Sequence, residues 1–349
     1  MNTNGHKDGF EARPSRITRM EANPRDRSSV IIRAIRGQRA FNLGGAIAAL
    51  LFAAALARAD WQHTDTTLAW TAGKTPVWQF SFDPAKGKPF FHPITVDGGP
   101  SLTNFRPTDH PWHYALWFSW KYINGANYWE EDRQTGKSAG KTTWTTPVIE
   151  THPDGSAIIR LNLNYTHPSG RVDMTELRTI AVSAPDAAGG YTLDWLADFT
   201  AGPEGAVLDR TPMPDEPNGV VNGGYAGLSM RLAAAPLAIT MATADGPVTE
   251  FAHNRARPAS AAVGCSFSDG GKDVGAIAIL SDPANIGEKA PWYLINSDEF
   301  RFADAAILAP AVRHLPAGGK WKLHYRIAVR KEAWTPEALK AALGEWLRR

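Results

Sequence analysis

The side chains best suited to chemistry are gathered between Lys88 and Glu131. In Asp109-His110-Pro111-Trp112-His113 two imidazoles stand three residues apart beside a carboxylate, and Glu130 and Glu131 close the stretch. Imidazole titrates nearest neutral pH, so His110 or His113, tuned by Asp109 or Glu131, could give or take a proton. Two other readings of the pair stay open. With a carboxylate they could ligate a divalent metal, or they could be structural and bond backbone in a polar layer under a cleft. H-x-x-H is weak metal spacing, since the strong motif has helical i, i+4 histidines with a Glu between. Pro111 disfavours helix at His110, so both rings are presented from a loop that leads into a strand-like segment, 114–121. Asn104, Arg106, Trp112, Trp117 and Asn124 lie in the same stretch and are candidate substrate contacts.

Two further clusters could complete a site. In 222–231 glycines allow close backbone approach, and period-two geometry puts Tyr225, Gly227, Ser229 and Arg231 on one strand face and Ala226, Leu228 and Met230 on the other. Arg231 would then clamp a hydroxyl or carboxylate. In 282–293 a loop offers Asn285 as a second clamp and Trp292, with Trp117, as a face on which a sugar ring could stack. An acid–base mechanism on a sugar needs two groups of opposite role on either side of the ring, a part open to Glu130 or Glu131 facing a histidine. No glycine-rich phosphate loop, nucleophile elbow or cysteine cluster is present. Nothing therefore calls for a cofactor, and no metal site is assigned.

The scaffold that must hold these groups reads as mostly β. Trp321-Lys322-Leu323-His324-Tyr325-Arg326-Ile327-Ala328-Val329-Arg330 alternates apolar and polar, the mark of a half-buried strand. Similar strands fit 157–165, 176–182, 191–199, 237–242 and 274–280, with turn residues at 167–170, 185–190, 201–205 and 316–319. Strands joined by short turns imply a large antiparallel β sandwich. One C-terminal helix is expected, with Thr335 as cap, Pro336 in first position and an apolar stripe of Ala338, Leu339, Ala342 and Trp346. It should clasp the outside of the last strand. Segments 202–222 and 281–292 read as long loops.

Residues 1–59 read as an export leader with an over-long basic n-region. An apolar run at 41–56 follows Arg33, Arg36 and Arg39 and precedes Ala57-Arg58-Ala59, the three parts of a signal peptide. Residues 60–349 would then be one sandwich domain in the periplasm or outside the cell, with no membrane contact after cleavage. The leader holds 10 of the 37 Lys+Arg and 4 of the 35 Asp+Glu, so the remainder carries 27 positive against 31 negative charges, a net −4. That balance gives no footing for a nucleic-acid partner. All 13 Trp follow the leader, an enrichment frequent where aromatic faces meet sugars. A lone Cys265 excludes an internal disulfide.

Segment 89–131 resembles a bacterial family labelled methane oxygenase or PmoA-like, whose pattern K-P-Y-F-x-P…D-H-P-H-H-x-G-L-W-F…N-G-x-x-F-W falls on Lys88, Pro89, Phe91, Pro93, Asp109, His110, Pro111, His113, Leu116, Trp117, Phe118, Asn124, Gly125 and Trp129. Trp112 stands where that family often has His, and Tyr114-Ala115 replaces a small or basic pair. The oxygenase label does not carry over, because a membrane monooxygenase subunit needs several spanning helices. In layout the family is similar to galactose-mutarotase-like supersandwiches, which implies His and carboxylate groups lining a sugar cleft. The expectation is an exported protein acting on a glycan or small-molecule sugar as hydrolase, lyase or epimerase. The alternatives are a non-catalytic glycan-binding protein and a metal-dependent protein using His110 and His113. Oligomeric state is left open.

Overall fold

The computed structural model describes residues 59–348. The expected leader lies outside the described residues except for Ala59, which begins the first strand and pairs with Ala72.

Two large antiparallel sheets carry the fold. The first runs, in spatial order, Ala59–His63, Thr67–Ala72, Thr75–Ser81, Phe90–Ile94, Leu116–Ser119, Gly227–Arg231, Arg301–Ala305, Ala290–Asn296 and Arg255–Ala256. The second runs Gly246–Val248, Ala238–Thr243, Ala262–Asp269, Lys272–Ser281, Lys320–Arg330, Tyr191–Ala201, Val172–Val182, Ala157–Thr166 and Lys141–Trp144. A third, smaller sheet joins Arg313–Leu315, Ala206–Asp209, Tyr122–Ile123 and Ala126–Asn127. Among the described residues no helix is long and apolar enough to cross a membrane.

Alternation along each strand sorts side chains into layers. From the first sheet Phe80, Phe91, Leu116, Phe118, Leu228, Met230, Leu294 and Ala303 enter the main core, where they meet Leu161, Ile180, Leu193, Trp195, Ile327 and Val329 of the second. Their neighbours Phe90, Trp117, Tyr293, Ile295 and Phe302 turn the other way and build a separate aromatic cluster on the outer face of the first sheet. On the outer face of the second sheet Ala262, Ala276, Ala278 and Ala328 bed Leu339 and Trp346 of the C-terminal helix, Pro336–Leu347. The Thr335 hydroxyl caps that helix by accepting from the Ala338 N–H at 3.2 Å.

Three expectations about elements need correction. Within 202–222 the chain forms the strand Ala206–Asp209, because Ala206 and Leu208 alternate inward and pair with Leu315 and Ile123. Within 281–292 a one-turn helix, Pro283–Ile286, is capped by the Asp282 carboxylate, so the C-terminal helix is not alone. The strand expected over 114–121 is confined to Leu116–Ser119, since Ala115 has a left-handed φ of 62°, a conformation that breaks strand geometry.

Candidate active site

The aromatic cluster on the first sheet floors a cavity of about 260 Å³. Residues 107–113 bring the histidines to its mouth through two consecutive turns, the His110 N–H donating to the Pro107 carbonyl and the His113 N–H to the His110 carbonyl. The loop is tied down where Arg106 N–H donates to the His113 carbonyl and Arg231 N–H to that of Ala115, at 2.9 and 2.7 Å. Left-handed φ at Arg106 and Ala115 stores backbone strain on either side of the histidines, as ligand sites commonly do.

His110 lines the cavity and is a third exposed. Its Nδ1 lies 2.9 Å from Asp109 Oδ2, and the same oxygen accepts from Arg231 Nη2 at 2.8 Å. Partial burial pushes the Asp109 carboxyl up, but His110 and Arg231 outweigh it and hold the group below the usual carboxylate range. An ionised Asp109 only accepts, so Nδ1 donates and a neutral His110 keeps its lone pair on Nε2. The ring stacks on Phe300, centroids 4.7 Å apart.

His113 is buried, lies 4.8 Å from the His110 ring centroid and stacks on Phe302 at 5.1 Å. Burial above all, then the charges of His110, Arg231 and Lys88, drives its pKa well below the ordinary histidine value. It is a neutral ring, and its Nδ1 is a buried atom without a hydrogen-bond partner.

Glu130 and Glu131 part company. Glu130 lines the cavity and is held by Lys121 Nζ, by Asn127 Nδ2 at 2.6 Å and by the Tyr225 hydroxyl. Burial raises its pKa, yet Lys121 and the two hydrogen bonds together leave it lowered, so it stays ionised. Tyr225, its pKa pushed far up by burial and by Glu130, keeps its proton and also lines the cavity. Glu131 points the other way into a buried knot, accepting from Lys88 Nζ at 2.9 Å, Arg106 Nη1 at 3.0 Å and the Tyr114 hydroxyl at 2.7 Å.

Of the residues singled out in the sequence, His110, Trp112, His113, Glu130 and Tyr225 meet at the cavity. The others do not line it. Glu131 and Arg106 belong to the buried knot, where their charges are consumed. Arg231 is buried behind the wall, gripping Asp109 and the Glu299 carbonyl with its guanidinium 3.9 Å from the Phe300 ring centroid, so it positions Asp109 instead of clamping a ligand. Its Nε and Nη1 have no partner. Asn104 touches this wall through its backbone, donating to the Arg231 carbonyl. Trp117 lies wholly buried under His113, rings 5.2 Å apart. Trp292 faces the main core and donates Nε1 to the Ser260 carbonyl at 2.8 Å. Asn285 ties the one-turn helix to His324, and Asn124 bonds the backbone of Gly205 and Val207.

Arg255, Ile295, Phe300 and Phe302 line the cavity without having been singled out, and Asn222 and Tyr293 line it from the clusters at 222–231 and 282–293, where neither had a role. Period two gave the signal for two of them: if Trp292 and Leu294 face the core, Tyr293 and Ile295 must face out. Arg255 had no such signal, because it comes from a short edge strand after a turn. Among the described residues no group of three or more His, Cys, Asp or Glu could hold a metal ion.

The molecule is thus an antiparallel β sandwich with an aromatic-floored cavity on one outer face and an Asp–His pair at its edge. Residues 67–344 match the family described as a family of unknown function (DUF6807), and the chain belongs to that family. Nothing in this match carries the PmoA-like name read from 89–131. No curated protein matches the chain. Among solved structures it is similar to the alpha-galactosidase from Lactobacillus brevis, at 11% identity and a TM-score of 0.43 over 79% of this chain and 40% of that one. The galactosidase domain of the alpha-galactosidase–sucrose kinase AgaSK matches at 8% identity and 0.42, over 79% and 41%. A candidate aldose 1-epimerase from Klebsiella pneumoniae matches at 8% and 0.40, over 82% and 85%. The chain spans about two fifths of the length of the two galactosidases.

Proposed function

We propose that the protein is an exported carbohydrate-active enzyme in which His110 takes a proton from a sugar carbon, or from water attacking one, and later returns it. The observation that carries this reading is the Asp109–His110 pair. A carboxylate fixed by Arg231 holds Nδ1 at 2.9 Å, and the ring, with its other nitrogen left free to act, lines a cavity with an aromatic floor. Orienting one nitrogen so that the other can act is the usual way a protein makes a histidine a base. His113, neutral and buried, is a poor proton carrier and supports the His110 ring. Glu130, saturated with donors, is a fixed negative charge and an acceptor and has no proton to give. Glu130 thus does not supply the opposing acid expected from the sequence, and His110 fills both roles in turn by returning the proton it takes, which is compatible with hydrolase, lyase and epimerase chemistry alike. Export rests on the basic and apolar segments of residues 1–59.

The test is a panel of oligosaccharides and monosaccharides scored for new reducing ends, for elimination and for epimerisation. His110→Gln should lower turnover by about 10²–10⁴-fold while leaving the melting temperature close to that of the parent, since the ring is a third exposed. Equal turnover in the variant would remove His110 from the chemistry. Binding without turnover on every sugar would leave a glycan-binding protein.

A further inference from the structure

A further charge, Arg255, lines the same cavity and takes no part in the Asp109–His110 pair. The two anions of the site described above each have a cation: Glu130 has Lys121 and Asp109 has Arg231. Arg255, which lines the cavity, has no such match, and neither does Arg257 near it, for among the described residues neither forms an ion pair. Arg255 lines the cavity from the edge strand Arg255–Ala256, where it pairs with Ile295. His253 and Asn254 just before it both have left-handed φ, 52° and 63°, so the turn that delivers this arginine is a strained one. Its Nε donates to the Tyr293 hydroxyl at 2.9 Å and its Nη1 to the His253 carbonyl at 2.7 Å. The side chain is thereby pinned, and Nη2 is left without a partner.

Arg257 stands behind it over the Tyr293 ring, 4.2 Å from the centroid, and donates Nη2 to the carbonyls of Val221 and Gly223. Asp304 and Asp215 act on Arg257 only through space, against a larger effect of burial. Asp304 is itself fully buried, with its pKa pushed well up by that burial, and so contributes little negative charge. An excess of fixed, half-buried guanidinium beside an otherwise neutralised cavity is what a site for an anion requires.

We infer that the ligand is a sugar carrying an anionic substituent, a uronate carboxylate or a sulfate ester, seated on Arg255. The inference rests on the carbohydrate reading above and narrows its substrate class. Carboxylate and sulfate share the chemistry that Arg255 recognises, and the choice between them is left to the ligand panel.

The experiment is calorimetric titration of the full chain with hexuronate oligosaccharides, with the same oligosaccharides after carboxyl reduction, and with neutral sugars with and without O-sulfate. Acidic members should bind at least about tenfold more tightly than their neutral counterparts. Arg255→Gln should erase that preference, Arg255→Lys should keep part of it, and His110→Gln should leave it intact. An Arg255-dependent preference for the uronates assigns the carboxylate, and one for the sulfated sugars assigns the sulfate. Equal affinity for acidic and neutral members, an unchanged preference in Arg255→Gln, or no binding by any acidic member overturns the inference. Should Arg255→Gln fail to fold, the parent's preference and the Arg255→Lys variant still decide. His110-dependent turnover of neutral sugars alone would keep the acid–base reading and remove the anionic one. Arg255-dependent binding of acidic sugars without turnover would do the reverse.

Discussion

The two sheets turn two very different outer faces to their surroundings. On the second sheet, Ala262, Ala276, Ala278 and Ala328 make a shallow bed, and the C-terminal helix closes over it with Leu339 and Trp346. Gly264 lies in that bed because a side chain there has no room: a Cβ would stand 2.5 Å from the Cβ of Trp334 and 3.3 Å from Leu339. On the first sheet the outward positions are large, Phe90, Trp117, Tyr293 and Phe302, and ionisable groups are buried among and beside them: Lys88, His113, Glu131, Arg231 and Asp304. Small apolar residues let an element dock and seal the face. Large aromatics with buried charges leave a hollow and carry a desolvation cost that only matched partners offset. A face that keeps such a cost is under a different demand from one that is merely covered.

The sharpest way to break this contrast is at the buried knot. Glu131→Gln removes the carboxylate shared by Lys88, Arg106 and Tyr114 and strands the Lys88 ammonium, whose pKa burial already holds down against the pull of Glu131. Breaking a buried pair in this way costs about 3–5 kcal/mol, to be read from urea denaturation. Because Tyr114 and Arg106 brace the loop that carries His110, turnover should fall as well. A loss under about 1 kcal/mol would mean that the knot is no stronger than a surface pair and that the two faces differ less than their chemistry suggests.

The sealed face should respond differently. Leu339→Ala leaves a hole under the helix worth about 2–5 kcal/mol, yet activity per folded molecule should match the parent, since nothing in the helix lines the cavity. A fall in specific activity after correction for the folded fraction would couple the two faces through the core and undo their separation.

The contrast was only half legible in the sequence. Alternation in 321–330 placed that strand within one residue of its observed start, and Thr335-Pro336 marked the helix by its capping chemistry. His110, His113 and Glu130 stood out by residue type, and the cavity gathers all three. Asn285, Trp292 and Asn124 stood out for the same reason and serve the scaffold, because residue type does not tell which way a side chain points. Glu130 and Glu131 make the same point, as adjacent carboxylates that face a cavity and a buried knot. Arg255 was invisible for another reason: its place depends on a turn at 253–254 and on pairing with a strand nearly forty residues further on, and neither leaves a local pattern.

The smallest effect, and the finest test of the contrast, lies in acid. His92 and His113 both ride on the first-sheet side, and burial is the main cause of low pKa in each, to about 4 for His92 and well below 6.5 for His113. A histidine with a depressed folded pKa favours the native state above its unfolded value of about 6.5. That contribution is lost as pH falls through the folded value, because the unfolded chain binds the proton first. Between pH 6.5 and about 4 each ring should therefore reduce stability by up to about 1.4 kcal/mol per pH unit. His113→Leu should flatten the dependence of the urea midpoint on pH across that window, by up to one proton's worth of slope. Leu339→Ala should lower the midpoint by the same amount at every pH, because the helix contact involves no proton. If both variants kept the parent's slope, the acid sensitivity would not come from the buried imidazole beneath the cavity, and the open face would lose its distinguishing cost.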